Sequence, residues 1–152
     1  MRHLAPHFRC ISYDLRGHGK SPKPAAPYTL DDLTDDLERL RAELGIESAH
    51  FAGHSLGGMI GPRYAQRFPS RVKSLGLYST AAFRTDEDAA KVRGVVAAMR
   101  SKGIAPVLET LKDRWFTPQF AERSPEVIER RMQQVIDTDP AVFLSVFDIY
   151  AE

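Results

Sequence analysis

The sequence predicts an α/β fold in which parallel strands alternate with helices and a purely helical region follows. Short apolar runs at residues 9–15, 48–53 and 71–82 are typical of strands, and helical periodicity fills the intervals between them. After the third run only helical patterns continue. Because strands that alternate with helices favour a parallel sheet, we expect an α/β core over residues 1–83 and a helical region over residues 84–152.

The first predicted strand, RCISYDL, runs into a turn rich in glycine and proline, and a helix follows that turn. Thr29 and Asp32 have the spacing of a capping box, with Asp in place of the usual Glu, and Gly45 is a natural C-terminal stop. Between them five leucines at helical spacing predict one buried stripe. These leucines are Leu30, Leu33, Leu37, Leu40 and Leu44.

The second strand, SAHFAG, is followed by a predicted helix from Ser55 to about Phe68. The third strand, RVKSLGLYSTAA, is mostly apolar, as buried parallel strands tend to be. Two later segments open with a capping residue followed by a proline, a device that starts helices. The predicted helices of the helical region cover residues of about 86–100, 105–116, 124–137 and 139–152.

Composition excludes several classes of function. Lys and Arg number 21 against 20 Asp and Glu, without a block of like charge, whereas nucleic-acid binding needs a concentrated basic face. Cys10 is the only cysteine, which excludes a disulfide framework and a Cys-rich metal site. The apolar runs are far shorter than a membrane span, and the N-terminus lacks the apolar core of a signal peptide. We therefore expect a cytoplasmic protein with no cofactor, metal, nucleic-acid or membrane partner.

The motif G-x-S-x-G occurs once, as Gly53-His54-Ser55-Leu56-Gly57, where the second strand meets the following helix. In this context the turn lifts the serine hydroxyl out of the sheet as a nucleophile. Helix amides that begin near Leu56 would point at a developing oxyanion. We expect a side chain at Gly53 or Gly57 to collide with the neighbouring chain in so tight a turn. The alternative is a Ser55 that only caps the helix.

Several motifs together resemble the α/β-hydrolase superfamily, and most of all its 3-oxoadipate enol-lactonase and esterase branch. They are YDLRGHGKS, GHSLGGMI and FPSRVKSLGLYSTAA, with LKDRWFTPQF and IDTDP in the helical region. The resemblance implies that Ser55 attacks a small ester or lactone to form an acyl-enzyme, and that the Leu56 amide is one oxyanion donor. It also implies a helical cap over residues 84–152, with Trp115 near the substrate. The residues that match the family's turn after its fourth strand are Asp14, Arg16, Gly17, His18 and Gly19.

The same resemblance implies that this chain is a fragment. The family's first three strands, and the last two strands with the triad acid and histidine, have no counterpart in the sequence. Some relatives carry the acid where Asp86 or Asp88 stands here, but none of the five histidines has a physical case for activating Ser55. The family's sheet order, 1-2-4-3-5-6-7-8, puts its third strand between the first two strands predicted here. We therefore expect exposed strand edges and self-association through them.

Three functions remain open at this point. The first is hydrolysis of a carboxylic ester or lactone, of the 3-oxoadipate enol-lactone type, with the triad incomplete in this chain. The second is cofactor-free perhydrolase or haloperoxidase chemistry, or acyl transfer, which uses the same serine and differs in the molecule that attacks the acyl-enzyme. The third is a catalytically inactive fragment that acts only as a binding module, which the missing histidine favours.

Overall fold

The structure, a computed structural model, describes residues 2–25, 27–81 and 84–152 and has the predicted α/β fold, without the first predicted strand. In chain order the elements are α1 (Leu30–Glu43), β1 (Ala49–His54), α2 (Leu56–Arg67), a 3-10 turn (Pro69–Arg71), β2 (Val72–Tyr78), α3 (Asp86–Lys102), α4 (Ile104–Trp115), α5 (Pro118–Arg123), α6 (Pro125–Ile136) and α7 (Pro140–Tyr150). The short α5, capped by the Thr117 side chain, is an addition to the predicted helices. Within the described segments, each helix is too short or too polar to cross a membrane.

β1 and β2 form a parallel two-stranded sheet, and α2 is the crossover between them. The register pairs His54 with Tyr78, so both strands end at the same edge. One face of β1 packs on α2, where the rings of Phe51 and Tyr64 have their centroids 4.9 Å apart. The second and third predicted strands are confirmed, the third with shorter bounds. Residue 82, at the end of that predicted strand, lies outside the described residues.

The predicted strand at residues 9–15 is wrong, because this segment makes no strand hydrogen bonds in the structure. A β-strand exists only through the ladder that it forms with a neighbour, and in the described part of the chain β1 pairs with β2 alone. The predicted burial of the third strand is also wrong in part, since Leu77 and Tyr78 are exposed. A parallel strand is buried when helices cover both faces of the sheet, and α2 covers one.

The helix α1 begins and ends as predicted. The hydroxyl of Thr29 accepts from the Asp32 N–H, and the Asp32 carboxylate accepts from the Thr29 N–H at 2.8 Å, which completes the capping box. Gly45 follows the helix with φ at 64°, a conformation that glycine adopts at little cost. The leucine stripe is buried unevenly: Leu33 has no exposed surface, whereas Leu44 at the end of the helix is exposed.

A polar network joins α1 to α2. Arg63 forms a bidentate ion pair with Asp31, with N–O distances of 2.6 and 2.8 Å. The Tyr64 hydroxyl donates to Glu38, which also pairs with Arg41 at 2.6 Å. The hydrogen bond from Arg41, supported by that from Tyr64, lowers the pKa of Glu38 from 4.5 to about 2. The contact between the two helices therefore includes a carboxylate that is held in its charged form.

Two clusters of buried apolar side chains form the interior. The cap cluster joins α3, α4, α6 and α7, and it consists of Met99, Val107, Leu108, Leu111, Ile128, Met132, Val135 and Phe143. The core cluster joins α1, α2 and α7, and it consists of Tyr28, Leu33, Leu56, Ile60, Val142, Val146 and Ile149. Since α7 contributes to both clusters, it connects the helical region to the strand–helix region. The domain boundary after residue 83 stays a prediction.

Candidate active site

Ser55 lies between β1 and α2, where the motif places it. Its backbone has φ 54° and ψ −118°, a conformation that residues other than glycine rarely adopt. Three hydrogen bonds hold it there: its N–H donates to the Tyr78 carbonyl at 3.0 Å, and its carbonyl accepts from the Gly58 N–H and the Thr80 hydroxyl, both at 2.9 Å. Backbone strain of this kind clusters at functional sites, where the surrounding structure over-determines it.

Two glycines beside Ser55 are sterically required. A Cβ on Gly53 would overlap the backbone of Gly57, and a Cβ on Gly58 would lie 2.5 Å from the Cβ of Thr80. The predicted collision at Gly57 is wrong, because a Cβ there meets no atom within 4 Å. Sequence reasoning missed Gly58, and the doubled glycine at 57–58 is the signal that could have identified it.

The Ser55 side chain is hydrogen-bonded to a residue that no sequence motif marks. Its Oγ lies 2.6 Å from the hydroxyl oxygen of Tyr150, the last residue of α7. The Tyr150 ring packs edge-on against Phe147 one turn earlier, with ring centroids 5.8 Å apart. Ser55 makes no side-chain hydrogen bond to the start of α2. The alternative in which Ser55 only caps the helix is therefore wrong.

The start of α2 brings backbone amides next to Ser55. Leu56 is the first residue of this helix, and the first amides of a helix have no carbonyl partner within it. The helix dipole adds a partial positive charge at the same end. An anionic oxygen formed on a carbonyl at Ser55 would be favoured by both effects. The assignment of Leu56 as an oxyanion donor stays a prediction, and this placement is consistent with it.

Histidine is absent from the described hydrogen bonds of Ser55. His18 and His50 are engaged elsewhere, in hydrogen bonds of 3.0 and 2.8 Å to other residues. His54, beside the serine, has an exposed side chain. The remaining histidines, His3 and His7, are exposed. Across the described ranges, no three His, Cys, Asp or Glu side chains are grouped so that they could hold a metal ion.

The other candidate residues lie on α3 and α4 of the helical region. Asp86 is the first residue of α3, and the Asp88 carboxylate accepts from the Thr85 hydroxyl at 3.0 Å in the cap of the same helix. Trp115 ends α4, which packs on α3 and α6, and its side chain is 38% exposed. Roles for these residues at the site stay predictions.

The turn after residues 9–15 is held between α1 and α7. Arg16 forms a bidentate ion pair with Asp36, with N–O distances of 2.7 and 2.8 Å. Gly17, with φ at 75°, lies so close to α7 that a Cβ would be 2.7 Å from the Val142 side chain. His18 donates from Nδ1 to the Arg16 carbonyl at 3.0 Å. The Arg16 ion pair thus fixes the turn on α1, and the close approach of Gly17 to Val142 places it against α7, the helix that carries Tyr150.

Ser55 does not line either of two clefts on the described surface. One, of about 420 Å³, is lined by residues of the 13–24 segment and α1, among them Lys23 and Asp36. The other, of about 590 Å³, lies between α3 and α4 and includes Lys91 and Arg114. The chemistry suggested by the motif therefore does not coincide with either cleft.

Comparison with known proteins identifies the family. The sequence model of the family described as alpha/beta hydrolase fold matches residues 1–117, more than half of the chain. The chain belongs to the α/β-hydrolase family. Membership agrees with the strand–turn–helix geometry at Ser55, with the parallel pairing of β1 and β2, and with the helical region that follows the sheet.

The relatives include enol-lactonases and an acetyltransferase. 3-Oxoadipate enol-lactonase 2 of Acinetobacter baylyi is 36% identical over 142 residues, which cover 93% of this chain and 52% of that protein. The solved enol-lactonase of Burkholderia xenovorans superposes with a TM-score of 0.83 and 32% identity, over 97% of this chain and 56% of that one. The acetyltransferase component of the acetoin cleaving system of Cupriavidus necator is 35% identical over 108 residues, 71% of this chain and 29% of that protein.

These comparisons confirm the resemblance to the enol-lactonase branch. They also show that the chain spans about half the length of the enol-lactonases that it matches.

Proposed function

We propose that this chain is the nucleophile-bearing part of a serine hydrolase that cleaves a carboxylic ester or lactone through an acyl-enzyme on Ser55. The observation that carries the proposal is the backbone of Ser55, held at φ 54° between a parallel strand and a helix by three hydrogen bonds. A serine capping residue would have no need of that conformation. An exposed nucleophile at a strand-to-helix turn does need it.

The reaction assigns a task to each group. Ser55 Oγ loses its proton to a base and bonds to the carbonyl carbon, while the carbonyl oxygen becomes an oxyanion next to the Leu56 amide. The ester bond then breaks, the alkoxide leaves with a proton, and water releases the acid from the acyl-enzyme. The family's triad order is Ser, Asp or Glu, then His. The proposal therefore assigns the base to a part of the α/β-hydrolase fold for which this sequence has no counterpart.

The relatives support a proposal for the substrate class. Two proteins that match more than nine-tenths of this chain are enol-lactonases, so we propose a small lactone or ester of the 3-oxoadipate enol-lactone type. Residues 84–152 would form the cap over such a substrate, and Trp115 would line its pocket. Two alternatives share the same chain: perhydrolase or haloperoxidase chemistry, and acyl transfer. The acetyltransferase relative supports acyl transfer specifically.

A binding module without catalysis is the third candidate, and an exposed surface favours it. Leu77 and Tyr78 of β2 are exposed, and residues 9–15 run without a strand partner. Such unpaired segments can pair with another chain, so this candidate predicts self-association through the sheet edge.

The test is labelling of the purified chain by a fluorophosphonate, read by intact mass. Because the oxyanion site and binding leave residual reactivity when a triad member is missing, we expect one adduct per chain to form slowly and to be lost in Ser55→Ala. Ser79→Ala is the matched control, because Ser79 follows the neighbouring strand and also has a positive φ, 45°. Labelling that persists in Ser55→Ala, or a folded chain that takes up no label, would contradict activation of Ser55 in this chain; the second result favours the binding module. Water, peroxide and an alcohol offered as competing acceptors would then separate hydrolysis from perhydrolysis and acyl transfer.

A further inference from the structure

We propose that Tyr150 positions the Ser55 hydroxyl for attack, through the hydrogen bond between the two side-chain oxygens. This inference rests on the proposed function and adds a residue to the site that the G-x-S-x-G motif does not contain. The two residues are 95 positions apart, and the 2.6 Å separation of their oxygens is that of a good O–H···O hydrogen bond.

Tyr150 lies at the end of α7, a helix that is held by contacts near both of its ends. Val146 and Ile149 of α7 are buried in the core cluster together with Leu56, the residue after the nucleophile. At the other end of α7, the Tyr28 hydroxyl donates to the Val142 carbonyl at 3.4 Å. α7 therefore packs in the same cluster as the first turn of α2. This packing holds the Tyr150 hydroxyl at a defined place relative to Ser55.

The backbone of the turn alone does not orient the hydroxyl. It places the Ser55 Cβ, but the Oγ still has three staggered rotamers. The Tyr150 hydroxyl is the one described hydrogen-bond partner of this oxygen, so it selects one rotamer. A residue that already holds the hydroxyl in the attacking rotamer lowers the activation free energy, because less side-chain entropy is lost on the way to the transition state.

The chemistry of the two hydroxyls sets the direction of the bond. A phenol is a stronger hydrogen-bond donor than an aliphatic alcohol because it is more acidic, and a phenolic oxygen can donate while the serine oxygen accepts. When the Ser55 proton leaves, the acceptor becomes anionic and the same bond becomes charge-assisted and stronger. The bond therefore favours loss of the Ser55 proton, the change that makes the oxygen nucleophilic.

A double-mutant cycle on stability tests the contact without requiring activity. Tyr150→Phe removes only the hydroxyl and keeps the ring on Phe147. We expect it to raise the unfolding equilibrium constant about fivefold in the wild-type background, as loss of one hydrogen bond does, and to have no effect in the Ser55→Ala background. Tyr28→Phe is the matched control, because it deletes a hydroxyl that bonds to α7 but not to Ser55. Its effect should be the same in the wild-type and Ser55→Ala backgrounds.

A kinetic measurement tests the role of the contact. The rate at which the fluorophosphonate labels Ser55 is measured as a function of probe concentration. This separates the limiting labelling rate from the half-saturating probe concentration. Tyr150→Phe should lower the limiting rate at least tenfold, the loss expected for a hydrogen bond to a charged group, and leave the half-saturating concentration unchanged. Tyr28→Phe should leave both unchanged. A helix that merely supports the fold would give equal losses in the two variants.

The outcomes separate this inference from the proposed function. Absence of coupling between Ser55 and Tyr150 in the stability cycle overturns the inference, whatever the labelling shows. Coupling with an unchanged or faster limiting rate in Tyr150→Phe overturns the positioning role. Coupling in a folded wild-type chain that takes up no label supports the positioning of Ser55 by Tyr150 and contradicts the proposed activity of this chain instead.

Discussion

The helical region, α3 to α7, and the sheet of β1 and β2 are rich in apolar residues, yet they bury them to different extents. Leu108 and Ile128 in the cap cluster are 1% and 2% exposed, whereas Leu77 and Tyr78 in β2 are 45% and 60% exposed. A helix satisfies its backbone within itself and needs partners along one stripe. A parallel strand needs neighbours at its edges and cover on both faces. The cap cluster is thus closed by residues of the helical region alone, while the sheet still presents apolar side chains to solvent.

Truncation of a side chain in each region should give the largest contrast. Ile128→Ala leaves a cavity among the helices of the cap cluster, and we expect a loss of about 2–5 kcal/mol in the free energy of unfolding. Leu77→Ala should cost about 1 kcal/mol or less, because its side chain already contacts water. Urea unfolding of both variants measures the difference. Equal losses would show that the outer face of β2 is covered, and would remove the contrast between the regions.

The turn at Ser55 should be the most sensitive part of the strand–helix region. Gly53→Ala forces a methyl group into the backbone of Gly57, and we expect a loss of about 1–3 kcal/mol. Gly57→Ala meets open space within a helix, so it should be neutral or stabilise by up to about 1 kcal/mol. Thermal unfolding of the two variants checks this order. If Gly57→Ala is the more damaging change, the steric account of the turn is wrong.

The caps of α1 and α3 offer the same local interaction in the two regions. Thr29 and Thr85 each accept a hydrogen bond from an aspartate N–H three residues later. Replacing either by Ala should cost about 1 kcal/mol, and replacing either by Ser should restore most of the loss. Chemical denaturation of the four variants provides the measurement. If only one of the two Ala variants lost stability, the loss would depend on the surroundings of that helix and not on the capping hydrogen bond itself.

The smallest of these effects on the free energy of unfolding is expected from acid, which should weaken the contact between α1 and α2. The pKa of Glu38 is lowered from 4.5 to about 2 by its bonds to Arg41 and Tyr64. A lowered pKa means that this group contributes stability above pH 4.5, and that the contribution is lost as the pH falls toward 2. Because the side chain is partly exposed, we expect no more than about 1 kcal/mol. Glu38→Gln should flatten this part of the stability curve between pH 4.5 and 2, and an unchanged curve would exclude Glu38 as its source.

Local features of the fold could be predicted from the sequence. The capping box of Thr29, the stop at Gly45 and the Pro-initiated helices depend on residues within a few positions of one another. The turn at Ser55 could be predicted for the same reason, since strand, glycines and helix follow one another directly.

The features that depend on distant residues could not be predicted. Residues 9–15 have the composition of a strand, but a strand forms only when a neighbouring strand pairs with it. The sequence of the segment does not tell whether such a neighbour is present. The need for glycine at position 58 comes from Thr80, two residues after the end of β2. The hydrogen bond to Tyr150 comes from 95 residues away, and a lone tyrosine near the end of an amphipathic helix looks like any other packing residue.

The sharing of α7 between the two clusters also has a consequence during synthesis. Four residues of the core cluster precede α7, and three residues of α7 complete it: Tyr28, Leu33, Leu56 and Ile60, then Val142, Val146 and Ile149. At a translation rate of about 5–20 residues per second, roughly 4–18 s pass between the addition of Ile60 and that of Ile149. Throughout that interval the nascent chain carries α1 and α2 without the helix that covers them. Their apolar faces are available to chaperones once they have left the ribosome, and the contact between Ser55 and Tyr150 forms only when α7 has emerged.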